Sequence, residues 1–303
     1  MPLIVTLDLF SGLPNPKFAI PDTEAQRIET LVRSAGLADR RLPLPPPRLG
    51  YRGIRIERAG VGGPVKPLAV IRAGEHVESE KLLVDYARRS LGDRISQTAW
   101  SHVTSTLERY EREGPERYEG REERGEPGWL ERIEEFFEEW REPKDADDGG
   151  CPPCVAADAP TYDPGPWNTE PTLSNNNCYN YANNQATNTF AQPGRAHGYT
   201  LSVDACGDVQ PGAVLDGLAA TTNFTTPLGA GQGWYVALVL APGFDYHWYR
   251  QDTVGCWSHK PGHTPARNVD NSGNPITDPQ TADRGPYSVF CSYMIAYTTD
   301  VIY

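Results

Sequence analysis

The chain has 303 residues, 38% of them hydrophobic, and a formal charge of −12, a length that suits two domains each large enough to bury its own core. Residues 107–148 hold 17 acidic against 8 basic side chains and the rest of the chain is nearly neutral at −3, so there is no basic stripe on which to lay phosphates, and neither nucleic acid nor anionic lipid is expected as a partner. Apolar runs such as Trp234 to Ala241 fall far short of the roughly 20 residues that span a bilayer, and the opening Met-Pro-Leu-Ile-Val-Thr-Leu-Asp lacks the pattern of a secretory signal; the expected location is cytoplasmic, or exported without a classical signal peptide.

Leu3 to Leu9 alternates in the manner of a strand and ends at Ser11-Gly12-Leu13-Pro14-Asn15-Pro16, a turn by composition. A helix follows, capped by Asp22 or Thr23, with Ile28, Leu31 and Val32 on one face. Arg40 to Gly50 is a Pro-rich connector, Tyr51 to Arg58 and Val65 to Ala73 are two strands, and Ser79 to Leu91 is a second helix. These make a small α+β domain over residues 1–100, in which no group of residues has an obvious chemistry.

Residues 101–165 are expected to form an acidic helical region and a linker. Trp129, Ile133, Phe136, Phe137 and Trp140 recur at three- and four-residue steps, giving an amphipathic helix whose aromatic face must be covered, by one of the domains or by a protein partner. Lys144 to Pro166 is a loop by its prolines and glycines. The Cys151-Pro-Pro-Cys154 pair has the form of half a zinc site or of a redox motif, but no second Cys-x-x-Cys or His-x3-His accompanies it, which leaves a linker disulfide or free thiols. Any two of Cys206, Cys256 and Cys291 would bridge in an oxidising compartment.

Residues 166–303 form the second domain, with 15 charged residues in 138 and much Asn, Thr, Gly and Tyr. Short strands and tight turns are expected, with one apolar strand at Trp234 to Leu240 and helices at Cys178 to Asn188 and Pro211 to Ala220. Three Asn lead into Cys178-Tyr179-Asn180-Tyr181-Ala182, which sets Cys178 at a helix N-terminus, where unpaired N–H groups favour a nucleophilic thiolate. The base is expected on Asp245 to Gln251, and the turn after it makes a hairpin in which His247 and His259 become cross-strand neighbours, one as base and the other orienting it.

Cys-x-x-Tyr-Ala at Cys178 to Ala182 is similar to the nucleophile motif of CHAP-type peptidases, and Cys178, His247 and His259 in that order resemble the NlpC-type pattern, both within the papain-like superfamily. The resemblance covers about residues 170–262. It implies a papain-like α+β fold with a helix packed on an antiparallel sheet, and a thiol hydrolase in which Cys178 attacks an amide, His247 moves the proton and His259 orients His247. Asn180 and Asn268 are the candidates for oxyanion donor and orienting residue, and Tyr181, Trp248 and Trp257 for the walls of a cleft. A peptide or peptidoglycan-type substrate is expected, with no cofactor. A metal hydrolase using His247, His259 and His263 has no acidic ligand at matching spacing, so no metal is expected. The alternative is a non-catalytic interaction or toxin-associated module whose aromatic-rich C-terminal domain binds protein or glycan.

Overall fold

A computed structural model describes residues 2–38, 48–59, 66–114 and 150–303. The aromatic helix expected over residues 129–140, and most of the acidic region around it, lie outside the described residues.

The protein is α+β. Its first sheet is antiparallel in the order β2-β1-β3-β4, built from β1 (Leu3–Asp8), β2 (Lys17–Ile20), β3 (Gly53–Arg58) and β4 (Lys66–Arg72). Central β1 pairs Leu3 with Ile20 on one side and with Arg58 on the other. Its Leu3, Val5 and Leu7 have no exposed surface. Helix α1 (Asp22–Ser34) contributes Ala25, Ile28 and Val32 to the same core, and α2 (Val77–Leu91) adds Leu83, Val84, Ala87 and Leu91. Each Leu, Ile or Val among them supplies about 1.5–3 kcal/mol on burial. A third helix, α3 (Gln97–Glu113), starts four residues ahead of the helical region expected from residue 101. The Ser96 side chain caps it by accepting from the Ala99 amide at 3.1 Å, and Trp100, Val103, Leu107 and Tyr110 form its buried stripe.

The second sheet runs β5-β9-β6-β7-β8, again antiparallel, from β5 (Ala219–Thr221), β6 (Trp234–Ala241), β7 (Asp245–Gln251), β8 (Trp257–Ser258) and β9 (Val289–Ala296). All eight residues of β6 are buried, which explains why its sequence is a continuous apolar run. Short helices α4 (Thr172–Asn175) and α5 (Cys178–Ala182) precede the sheet, and α5 packs on β7. The helix expected over Pro211 to Ala220 lies earlier, as α6 (Cys206–Asp216), because the Asp208 carboxylate accepts from the Ala205 amide at 2.8 Å and Gly217 (φ +121°) ends it.

Residues 150–165, expected as linker, pack on this second sheet. Cys151 is bridged to Cys256, Ala156 pairs with Leu228, and the Thr253 amide donates to the Pro160 carbonyl at 3.0 Å. A second disulfide joins Cys206 to Cys291, tying α6 to β9, while Cys154 and Cys178 are free. The two sheets share one hydrophobic cluster. Phe10 meets Phe244 edge-on at 5.5 Å, His102 lies 5.1 Å from the same ring, and the Leu49 amide donates to the Asn271 side chain at 3.0 Å.

Candidate functional site

The loop after β1 is shaped first by its own side chains. Asn15 Oδ1 accepts from the amides of Leu9 (2.9 Å) and Phe10 (2.7 Å), and Asn15 Nδ2 donates to Asp8 at 2.9 Å. Buried Arg52 donates to Asp8 and, at 2.7 Å, to the Phe10 carbonyl. Burial works to raise the Asp8 carboxyl, but Arg52, with His263 and Arg55, holds it below its ordinary value. This anchored loop projects Ser11, Gly12 and Leu13 into the second unit.

Asp245, at the start of β7, receives them. Its carboxylate accepts from the amides of Ser11 (2.5 Å), Gly12 (3.1 Å) and Leu13 (2.9 Å), and from the Tyr287 hydroxyl (2.5 Å). Burial lifts the carboxyl to about 6, while Tyr287 and the three amides pull the other way, so it is ionised at neutral pH. The Gly12 carbonyl accepts from Asn177 Nδ2 (2.8 Å) and Gln192 Nε2 (2.9 Å). A side chain at Gly12 would place its Cβ 2.6 Å from the Tyr246 ring. Only glycine admits this close approach.

Beneath the loop runs a one-way relay of hydrogen bonds. His259 Nε2 lies 3.1 Å from the Val269 carbonyl, which can only accept, so Nε2 carries the proton and Nδ1 is an acceptor. His247 Nε2, 2.8 Å from His259 Nδ1, must then donate, and His247 Nδ1 accepts from the Ser11 hydroxyl. The Ser11 side chain and the Trp248 backbone also lie close enough to the Cys178 thiol to favour its ionised form. Cys178, Ser11, His247 and His259 have no exposed surface. Burial, then the Asp245 charge, pushes the Cys178 thiol up. Burial pulls His259 down to about 3 and His247 well below its usual range, with the neighbouring imidazole and Arg52 adding to the latter.

The structure therefore brings together the three residues picked from the sequence, with Ser11 between the thiol and the imidazole and every member neutral. This differs from a thiolate–imidazolium pair, which needs a cation beside the sulfur. The histidines are diagonal rather than directly opposed: β7 pairs Arg250 with Ser258, and continuing that register sets His259 against Tyr249, whose rings stack at 4.9 Å. The ring-proton resonances of His247 and His259 are expected not to titrate between about pH 5 and 8. Their folded values lie below the ordinary 6.5, so the stability linked to them is full above 6.5 and falls as the unfolded chain takes up protons below it. An NMR pH titration that shows either ring protonating near pH 6 contradicts the relay.

The remaining sequence candidates have other roles. Asn180, expected at an oxyanion, spends both amide protons on the Gln185 carbonyl and the Thr187 hydroxyl, while its oxygen accepts from the amides of Asn177 and Ala191; it closes the α5 capping box with Asn177. Asn268 does not orient a histidine; the Val269 carbonyl does. Tyr181, Trp248 and Trp257, expected to wall a cleft, are fully buried core. Tyr181 bonds Ser258 at 2.8 Å beneath the Arg250 guanidinium, Trp248 leans on Tyr179, and Trp257 packs edge-on against Phe224. Aromatic strand residues bury large areas, and the two-sided cover of this sheet takes them inside. His263 does not approach the pair; its Nδ1 donates to the Ser174 carbonyl at 2.7 Å. Among the described residues, no three His, Cys, Asp or Glu groups are arranged to hold a metal ion, and no helix is long and apolar enough to cross a membrane.

Sequence reasoning missed Ser11, Gly12, Asp245 and Val269. Gly-Leu-Pro-Asn-Pro signals a rigid turn, which it is, but composition carries no sign of what a turn is inserted into.

Over 133 residues, 44% of its length, the chain is 52% identical to the insoluble matrix shell protein 1 of Ruditapes philippinarum, and it spans 87% of that protein. No family model matches the chain, and no solved structure matches it. The similarity overturns the expectation of a cysteine peptidase or amidase, because the matching protein is by its name a component of an insoluble matrix. The geometry agrees with this correction, since burial and the Asp245 charge favour the protonated Cys178 thiol and Ser11, not Cys178, is the group bonded to His247 Nδ1.

Proposed function

We propose, from the premise that this chain belongs to the family of the insoluble matrix shell protein 1, that it is a non-catalytic structural protein of an insoluble matrix. Its C-terminal unit acts as an interaction module, fixed in one conformation by the Ser11–Leu13 loop. The observation that carries this reading beside the similarity is Ser11 itself, which occupies the His247 Nδ1 that a thiol would need as its base, in a buried hydrogen-bond relay that runs on through His259 to the Val269 carbonyl. Such a relay serves rigidity. A buried polar network with every member satisfied specifies one packing and resists loosening.

Further support comes from covalent ties at long range. The Cys151–Cys256 and Cys206–Cys291 bridges span 105 and 85 residues, a usage that suits an oxidising compartment and a protein meant to persist there. Cysteine reactivity tests the reading. In the folded full-length protein, iodoacetamide at about pH 7.5 should label the half-buried Cys154 and leave Cys178 untouched until denaturant is added. The same oxidised protein should pellet with an insoluble polysaccharide–protein matrix. Fast labelling of native Cys178, accompanied by amide cleavage that Cys178→Ala abolishes, would refute a non-catalytic role.

A further inference from the structure

A cleft of about 230 Å³ opens where the loop after β1 meets the second unit. Pro14 and Lys17 form one side, and Asn175, Asn188, Phe190 and His263 stand on the other. No carboxylate lines it. It is separate from the buried relay, whose members do not reach it.

The far wall is built at a cost. Asn188 (φ +58°) and Phe190 (φ +54°) both hold left-handed backbone conformations. For a bulky residue such as Phe this is strained by about 1–3 kcal/mol, and strain of this kind persists where the surroundings enforce it, commonly at ligand sites. Here the Phe190 amide donates to the Asn175 carbonyl at 2.8 Å, the Asn176 side chain donates to Asn188 Oδ1 at 2.8 Å, and Arg195 donates to the Thr189 and Phe190 carbonyls at 2.7 and 3.3 Å. The result is a half-exposed Phe190 ring stacked on the His263 imidazole at 4.5 Å, which braces the ring in the cleft wall.

The polar groups around that ring are a mixed set. His263 Nδ1 donates to a carbonyl, which makes Nε2 a lone-pair acceptor; burial keeps this ring neutral down to about pH 4. Asn188 keeps its amide protons, and the exposed Asn175 side chain is engaged by no hydrogen bond among the described residues. One acceptor, two amides and an aromatic face match the hydroxyls and the apolar C–H face of a sugar ring. An anion would find a single cation, Lys17, opposite acceptor atoms that repel it. The volume lies just below the small-ligand range of about 300–1,000 Å³, room for a sugar residue rather than for a folded partner.

The geometry points to this cleft as a binding site for a neutral saccharide, with Phe190 stacking on the ring, His263 Nε2 accepting from a hydroxyl, and Asn175 and Asn188 donating to ring substituents. The inference rests on the interaction-module reading and gives that module a ligand class. Titration calorimetry of the full-length protein with neutral tetrasaccharides of glucose, mannose and N-acetylglucosamine, and with a galacturonate tetramer, tests it. At least one neutral sugar should bind, Phe190→Ala should weaken it by about tenfold, and Asn188→Gly, whose relief of the positive φ offsets the lost bond from Asn176, should weaken it while changing Tm little. Lys17→Met should change little. Absence of neutral-sugar binding, binding indifferent to Phe190 and Asn188, or preference for the galacturonate tetramer with dependence on Lys17 would each overturn the inference. A failure of the non-catalytic reading shows elsewhere, as Cys178-dependent amide cleavage, whichever way the titration comes out.

Discussion

Replacing Asp245 by Ala should lower the unfolding free energy by about 4 kcal/mol, the order expected when several buried donors lose their acceptor. The Ser11, Gly12 and Leu13 amides and the Tyr287 hydroxyl all donate to this one buried carboxylate, and Ala offers none of them a partner. The loss is confined to the junction between the units, so the loop after β1 should be released before the sheets melt. Hydrogen exchange should then show residues 11–13 unprotected in the variant at denaturant concentrations where β6 remains protected. Asp245→Asn, which keeps an acceptor oxygen, should lose roughly half as much. Gly12→Val attacks the same contact from the other side, driving its Cβ against the Tyr246 ring and carbonyl. If Asp245→Ala costs less than about 1 kcal/mol, the loop is not held by this carboxylate and the units do not depend on it for their docking.

The second large effect concerns the disulfides. Each closes a long loop, of 105 and 85 residues, and chain-entropy arguments assign a bridge of that span about 4–5 kcal/mol. Cys206→Ser with Cys291→Ser should lower Tm by about 10 °C, and should free α6 from β9 while the Asp208 cap keeps the helix start intact. Removing Cys151 and Cys256 should instead detach residues 150–165 from the second sheet, where they are otherwise held by the Ala156–Leu228 pairing and the Pro160 carbonyl. Differential scanning calorimetry with and without reductant reads both. A reductant that leaves Tm unchanged would mean the bridges do not form in the folded protein.

Much of the fold was legible in the sequence wherever a short window held the whole signal. The period-two alternation of Leu3 to Leu9, the apolar run at Trp234 and the Asn-capped start of α5 all follow from local chemistry, and each is found in place. Strand β9 was not legible, because Val289 to Ala296 looks like any half-apolar stretch until β5 and β6 flank it. The hairpin carrying the histidines follows from the sequence, but the expected register differs from the observed one by two residues on the partner strand, since the Asp252–Cys256 turn fixes the alignment through backbone bonds that residue types do not reveal.

By itself the sequence determined the α+β class and the local elements whose gathering brings Cys178, His247 and His259 together, since capping and strand periodicity act over a few residues. Tertiary structure alone decided what that gathering is. The long-range placement of Ser11 against His247, 236 residues apart, replaces the cysteine–histidine contact of a catalytic outline with a buried serine–histidine–histidine relay. The physical reason is that protonation state follows burial and neighbours. Both are properties of the folded contact and are not written in any one segment of the chain.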